Sequence, residues 1–153
     1  MILNRAMLKL DDFLPYRLSV ASNRVSETIA RAYREAFGLS IAEWRTLAVA
    51  AENGGLTQQE VGQRTCMDKV TVSRAAIALT RRGLIARTHG PSDRRERVLE
   101  LTAQGQNLYA KVVPRARALE KQIFGEFSPE ELARLLETLL RIERASIDTA
   151  WPE

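Results

Sequence analysis

The sequence is poor in the residues on which metal and disulfide chemistry depend. Cys66 is the single cysteine and His89 the single histidine among 153 residues. One thiol excludes an internal disulfide framework, and one histidine leaves no Cys/His cluster at the spacing of a zinc site. We therefore expect no metal and no cofactor.

Long apolar runs are also missing. No uninterrupted stretch approaches the roughly 18 residues that a membrane span needs. The opening segment carries Lys9, Asp11 and Asp12 where a signal peptide would be apolar. The sequence thus predicts a cytoplasmic protein with no membrane partner.

Catalytic motifs are absent from the sequence. There is no Gly-rich phosphate loop, no Gly-x-Ser-x-Gly elbow, and no histidine placed as a base beside a nucleophile. The acidic residues are dispersed at ordinary helix salt-bridge spacing. These absences argue against an enzyme.

The residues that are present suit a folded protein with one basic region. The chain is 45% hydrophobic and 27% charged, and its length suits one domain. Residues 60–101 hold nine basic and five acidic side chains, whereas the rest of the chain holds 14 of each. The whole net charge of +4 therefore falls in one central segment, as a nucleic-acid partner would require.

Apolar periodicity predicts long helices at both ends of the chain. Apolar residues recur every three or four positions over 12–37, 102–127 and 128–147. We expect the second of these to bend at Pro114, which supplies no N–H to the helical ladder. The apolar stripes of these helices exceed what one small domain can cover, so we expect them to be dimerisation helices.

The centre of the chain has the pattern of a winged helix-turn-helix. A helix capped by Ser40 precedes a short helix over 58–64 and a longer one over 68–82, in which Val70, Arg74, Ile77 and Arg81 face away from the apolar side. Two β-like runs within 84–101 then form a hairpin with a basic tip. The fold class we predict is mainly α (α+β), one domain over 1–153 with the winged lobe at 40–101.

Four segments of the sequence resemble the multiple antibiotic resistance regulator (MarR) family of bacterial transcription factors. They are Leu39 to Arg45, Leu56 to Val61, Met67 to Arg74 with Leu79 to Ile85, and the wing signature Asp93, Arg95, Leu101 and Thr102. The resemblance spans roughly residues 10–147. It implies a homodimeric regulator, usually a repressor, which binds a pseudopalindromic double-stranded DNA operator and is often released by a small aromatic ligand. Compounds of this class include aromatic acids and their coenzyme A thioesters.

The resemblance also implies which residues meet DNA. Helix 58–64 becomes the positioning helix, 68–82 the recognition helix and 84–101 the wing. By position, the residues expected at the major groove are Lys69, Val70, Thr71 and Arg74. The minor groove would take Arg94 or Arg95, with Asp93 holding the wing arginine by a salt bridge, and the phosphate-contact candidates are Thr57, Gln58 and Ser73. Arg74 is the leading candidate, since a guanidinium pairs bidentately with guanine.

Several residues keep two interpretations. Tyr16, Arg17, Trp44 and Arg45 suit an aromatic carboxylate, but Trp44 is equally explained as core and Arg45 as a surface charge. Arg81 and Arg82 could bind phosphate or complement the partial negative charge at a helix C-terminus. Cys66, in the turn between the two DNA-facing helices, suits a buried structural thiol better than a redox sensor, and His89 is left unassigned.

Two further functions of the whole protein stay open: a DNA-binding protein of architectural type, and a winged-helix adaptor that no longer binds DNA.

Overall fold

The structure is a computed structural model that describes residues 7–90, 92, 93, 95–147 and 149. These residues form six α-helices and one two-stranded antiparallel sheet, as the predicted fold class requires. The helices are α1 (Leu14–Phe37), α2 (Ile41–Asn53), α3 (Gln58–Thr65), α4 (Lys69–Arg81), α5 (Ala103–Phe124) and α6 (Pro129–Ile147). The strands are β1 (Ile85–His89) and β2 (Arg97–Leu101).

Local capping signals explain where the helices begin and end. The Ser40 and Thr57 hydroxyls accept from the backbone N–H three residues on, and the carboxylates of Glu43 and Glu60 return the bond, so both capping boxes are formed. Gly38 ends α1 with a φ of +62°, a left-handed conformation that glycine adopts without steric cost. The predicted end of the first helix at residue 37, the predicted Ser40 cap and the predicted start of the short helix at residue 58 are therefore confirmed.

Several predicted boundaries differ from the structure, most of them by one residue. The first helix begins at Leu14 because residues 10–12 form a separate 3₁₀ turn. The fifth ends at Phe124, just before Gly125, and not at residue 127. The first strand is shifted by one residue, to Ile85–His89. Helix α5 continues through Pro114 without interruption, and the bend predicted there stays a prediction.

Helix α5 crosses the boundary between two compact units, Met1–Pro114 and Arg115–Glu153. The core of the first unit is built mainly from side chains of α2, α3, α4 and the sheet, and the members that are at most 1% exposed include Leu47, Val61, Ala76, Leu79 and Leu99. In the second unit the exposed apolar side chains include Leu135, Leu136 and Leu140 of α6. The first unit therefore carries a closed core, whereas α6 presents an open apolar row.

The hairpin is attached through the middle of β2 to the loop that precedes α3. Strands β1 and β2 pair from Ile85 opposite Leu101 to His89 opposite Arg97. Leu56 adds an isolated bridge to Leu99, whose two backbone hydrogen bonds measure 3.2 and 2.7 Å. The hairpin and the entry to α3 thus form one hydrogen-bonded unit, which the sequence pattern did not indicate.

Among the described residues, no helix is long and apolar enough to cross a bilayer. The same residues contain no group of three or more histidine, cysteine or acidic side chains placed to hold a metal ion.

Candidate nucleic-acid interface

Asp68 fixes the first turn of α4. Its carboxylate accepts the backbone N–H of Thr71 and the Thr71 hydroxyl, each at 2.8 Å. These hydrogen bonds, the backbone one first, hold the pKa of Asp68 below its ordinary value. The carboxylate is therefore ionised at neutral pH, and it holds the N-terminal turn of the helix in a defined position.

Helix α4 has a buried face and an exposed face, as predicted. Val72, Ala75, Ala76 and Leu79 are at most 4% exposed. The opposite face carries Val70, Arg74, Ile77 and Arg81, all of them exposed. Large apolar side chains such as Val70, at 58% exposure, are costly to leave in water. The outward face therefore has the mixture of apolar and cationic groups that a base edge and a phosphate accept.

Arg74 is the uncommitted cation at the centre of that face. Its side chain is exposed, and no hydrogen bond or ion pair joins its guanidinium to another residue in the part of the chain that the structure describes. Lys69 is likewise exposed one turn earlier, while Thr71 and Ser73 are half-buried on the flank. The predicted major-groove residues therefore share one side of one helix.

Thr57 at the start of α3 is more constrained than predicted. Its hydroxyl donates to the Glu60 carboxylate at 3.0 Å and accepts the Glu60 N–H at 3.2 Å. The Thr57 backbone N–H also donates to this carboxylate at 2.8 Å, and these bonds lower the pKa of Glu60. The hydroxyl proton is thus used within the cap, which leaves Gln58 as the freer phosphate-contact candidate.

A groove between α3 and α4 brings two of the predicted residues together. Its volume is about 470 Å³, and its lining includes Gln58, Gly62, Met67 and Lys69. At the floor of the groove Gly62 allows α3 to lie close to the Met67 backbone, because an added Cβ would lie 3.2 Å from the Met67 carbonyl oxygen. Gln58 and Lys69 therefore face one shared concave surface.

The wing carries exposed cations on both sides of its tip. Arg87 on β1, Arg97 on β2 and Arg95 in the connecting loop are all exposed. Arg94, which is also predicted at the minor groove, lies outside the described residues. The loop is closed by a hydrogen bond from the Gly90 N–H to the Glu96 carbonyl at 2.9 Å.

The predicted salt bridge from Asp93 to a wing arginine is not formed with Arg95. The Asp93 carboxylate instead accepts the backbone N–H of Arg95, at 2.8 Å. A short side chain two residues before an N–H closes a turn in this way without needing the distant guanidinium. Asp93 therefore shapes the loop through the backbone, and the Arg95 guanidinium projects from it.

The four residues predicted to hold a ligand are not brought together within the chain. Arg17 forms an ion pair with Asp11, at 3.6 Å. Tyr16 precedes Tyr33 by 17 positions on α1, which separates them by about 25 Å along the helix axis. Trp44 contacts Tyr33, so Tyr16 and Arg17 lie at the far end of α1 from Trp44 and Arg45.

Trp44 belongs instead to an aromatic cluster that the sequence analysis missed. Its ring meets Tyr33 edge-on, with centroids 5.2 Å apart, and stacks on Tyr109 of α5 at 5.7 Å. Tyr33 is only 5% exposed, and burial raises its pKa. A cleft of about 370 Å³ whose lining includes Glu100, Gln106 and Tyr109 adjoins the cluster. Helical spacing alone could not have joined three aromatics from three helices.

Cys66 and Arg82 also differ from their expected surroundings. The Cys66 thiol is exposed, not buried, and Cys66 ends α3 in a left-handed conformation with a φ of +54°. The Arg82 guanidinium donates to the carbonyls of Phe37 and Gly38, both at 3.0 Å. It thus complements a helix C-terminus, as one of the two interpretations held, but that of α1 and not of its own helix.

Comparison with known proteins identifies the family. A model described as MarR family matches residues 37–96. The HTH-type transcriptional regulator FarR of Neisseria gonorrhoeae is 31% identical over 107 residues, which make up 67% of this chain and 73% of FarR. The chain belongs to the MarR family of transcriptional regulators.

Solved structures of MarR-type regulators share the fold. A MarR/EmrR family transcriptional regulator from Acinetobacter sp. ADP1 is 25% identical, with a TM-score of 0.86 over 93% of this chain and 100% of that one. CouR from Rhodococcus jostii RHA1, solved bound to p-coumaroyl-CoA, is 24% identical, with a TM-score of 0.80 over 96% of this chain and 100% of CouR. At that identity the likeness to CouR concerns the fold.

The segment matched by the MarR family model coincides with the candidate interface. Residues 37–96 contain all of α2, α3 and α4, strand β1 and the loop of the wing. The outward face of α4 and the wing residues Arg87 and Arg95 therefore lie within the part of the chain that matches the family.

Proposed function

We propose that this MarR-family chain is a homodimeric repressor that binds a pseudopalindromic operator and is released by a small aromatic ligand. The observation that carries the DNA-binding part is Arg74, an exposed and uncommitted guanidinium on the outward face of α4. Such a group pairs bidentately with guanine in the major groove. A dimer bound across a promoter blocks transcription by occupying it.

The DNA contacts follow from the placement of the other residues. Lys69, Val70 and Thr71 accompany Arg74 at the N-terminal half of α4, the part of a recognition helix that meets base edges. Arg95, and by position Arg94, reach the neighbouring minor groove. Ser73, Gln58 and the start of α3 at Thr57 contact phosphates, since helix N-termini and small polar side chains fix register on the backbone.

Exposed apolar rows support the dimer. Apolar side chains that would be buried in a stable fold stay exposed in the single chain at Leu14, Leu18, Leu135, Leu136, Leu140, Ile142 and Ile147. Rows of this kind are the usual sign of an interface. A two-fold dimer joined through them presents two recognition helices to successive major grooves, about 34 Å apart.

The dimer also explains the separation of the predicted ligand residues. Since Tyr16 and Arg17 lie about 25 Å along α1 from the residue that Trp44 contacts, they approach Trp44 and Arg45 only from a second copy. The ligand then lies between protomers, with its aromatic part on Trp44 and its carboxylate or thioester phosphate near an arginine. CouR holds p-coumaroyl-CoA on the same fold, which supports an aromatic acid or its coenzyme A thioester here.

A salt-titrated binding assay tests the DNA-binding part. The protein is mixed with the duplex upstream of its own coding sequence and with a scrambled duplex of equal length. We expect tighter binding to the upstream duplex and a steep loss of affinity with added salt. Arg74→Ala should weaken specific binding by about 1–3 kcal/mol, or roughly 5–150-fold.

A matched variant removes a charge elsewhere. Lys111→Ala deletes one exposed cation of α5 outside residues 60–101 and should leave the preference unchanged. Equal affinity for both duplexes would favour an architectural DNA-binding protein, and no binding at low salt would favour an adaptor. An Arg74→Ala protein that keeps full preference would contradict the assignment of α4.

Fluorescence of Trp44 tests the ligand part. The chain has two tryptophans, so the Trp151→Phe background leaves Trp44 as the reporter. We expect one member of a panel of aromatic acids and their coenzyme A thioesters to quench Trp44 and to weaken operator binding by about 5–150-fold, the range of typical allosteric coupling. Arg45→Ala should reduce both effects together. If a compound weakens operator binding without quenching Trp44 fluorescence, the ligand site does not include Trp44.

A further inference from the structure

The C-terminal end of the recognition helix is attached to two other helices by side chains. Arg82 directly follows α4 and donates both terminal N–H groups to the last carbonyls of α1, at Phe37 and Gly38. Gly83 follows, and its carbonyl accepts the Thr102 hydroxyl at 2.6 Å, just before α5 begins. Two consecutive residues therefore connect α4 to the end of α1 and to the start of α5.

The site around Arg82 has a charge pattern that suits an arginine. The last turn of α1 leaves carbonyls without intrahelical partners, and these carry the partial negative charge of the helix C-terminus. The Glu43 carboxylate of the α2 capping box lies 3.9 Å from Arg82 Nη1. The guanidinium thus lies between the negative end of α1 and the carboxylate that caps α2. Lysine has one ammonium group and could not donate to both carbonyls in this planar geometry.

We propose that Arg82 is a positioning residue that sets the angle of the recognition helix relative to α1. This inference rests on the proposed function, because it assigns Arg82 a role in operator binding without a contact to DNA. The N-terminus of α4 lies 13 residues from Arg82, which is about 20 Å along the axis. A rotation of only 3° or so at Arg82 therefore moves Lys69 by about 1 Å. Any shift at the end of α1 or the start of α2, including one caused by a ligand beside Trp44, passes to the base-contacting residues through this link.

Lys111 provides a matched control. It is an exposed cation on α5, outside the proposed DNA-binding surface, and within the described residues its side chain makes no hydrogen bond or ion pair. Lys111→Ala and Arg82→Ala each remove one positive charge. Arg82→Lys keeps the charge and removes the double donation.

The DNA arm of the experiment measures operator affinity as a function of salt for these three variants and the wild type. We expect Arg82→Ala and Arg82→Lys to lose about tenfold in affinity with the salt slope unchanged, and Lys111→Ala to stay within about twofold. A slope lowered by about one in Arg82→Ala would mean a phosphate contact and overturn the proposal. If Arg82→Lys binds the operator as tightly as the wild type, or if both alanine variants lose equal affinity, only the charge of Arg82 matters. Either result would overturn the positioning role.

The second arm needs no DNA. Hydrogen exchange of the free protein should be several-fold faster in Arg82→Ala over residues 34–40 and 78–84, and unchanged in Lys111→Ala, with thermal unfolding recorded for each variant. Unchanged exchange in Arg82→Ala would show that the residue does not hold α1 to α4, and so would overturn the proposal. A wild-type protein without preference for its upstream duplex would instead refute the proposed function, while the exchange data still report on the link itself.

Discussion

Gly105 shows how one missing side chain allows two elements to pack. A Cβ added to Gly105 would lie 2.0 Å from the Leu84 carbonyl oxygen and 3.0 Å from its carbon. Both are backbone atoms that cannot rotate away. Alanine is the better helix former by about 1 kcal/mol, so the clash and the helix propensity oppose each other. At such a distance the clash is the larger effect.

We expect Gly105→Ala to lower the free energy of unfolding by about 1–3 kcal/mol, the usual cost of overpacking. Urea denaturation followed by circular dichroism measures it. Asn107→Ala, at an exposed position on the same helix, is the control and should be neutral or slightly stabilising. If both variants unfold at the wild-type urea midpoint, the close approach of α5 to Leu84 is wrong.

At the same scale, sequence reasoning found residues whose role depends on exposure and missed those whose role depends on distant contacts. Arg74 follows from helical periodicity, because the buried set on α4 fixes which residues point outward. Arg82 meets carbonyls 44 and 45 positions away, and nothing in its neighbourhood along the chain signals them. Tyr33 and Tyr109 were missed for the same reason, since each is an ordinary member of its own helix.

Among the elements, the cap of α4 has a defined dependence on pH. Hydrogen bonds from Thr71 hold the pKa of Asp68 below 3.8, its ordinary value. A group of this kind stabilises the fold fully above its unfolded pKa, and the contribution disappears as the pH falls through the lower folded pKa. The cap should therefore weaken only in acid.

Asp68→Asn should make the free energy of unfolding depend less on pH in the acid range. Asparagine still accepts the Thr71 N–H but does not titrate. Urea unfolding in steps between about pH 5 and 3 should show a smaller loss of stability in the variant than in the wild type. Glu52→Gln, an exposed carboxylate in no cap, serves as control and should follow the wild type. Parallel curves for Asp68→Asn and wild type would contradict the cap assignment.

Elements with local signals were predicted from the sequence, and pairings over distance were not. Capping residues and glycines fix helix ends within four positions, so α2, α3 and α4 were predicted to within one residue. The bridge between Leu56 and Leu99 joins residues 43 positions apart. Pairing of that kind depends on tertiary packing, which the period of a short segment does not encode.

For the whole molecule, the apolar row of α6 gives the sharpest test of assembly. Leu136 is 60% exposed in the single chain, and a carboxylate placed there would be buried in the proposed dimer without a partner. Leu136→Glu should raise the dimer dissociation constant by about 100-fold or more, equivalent to roughly 2.7 kcal/mol. Analytical ultracentrifugation across a concentration series measures the change.

Glu137→Gln alters the adjacent exposed residue and should leave the dimer intact. Operator binding should fall together with dimerisation in Leu136→Glu, because a monomer reaches one half-site only. A Leu136→Glu protein that sediments as a dimer at low micromolar concentration would exclude this row from the interface.

The bridge at Leu56 also bears on how such regulators diversify. The middle of β2 is joined to the entry of α3 through Leu99, while the tip is closed by the turn between Gly90 and Glu96. Residues inserted or deleted at the tip change the reach of the hairpin without moving the strand that is joined to α3. The length of the wing can thus drift during evolution, or be altered by an engineer, while the recognition helix keeps its place.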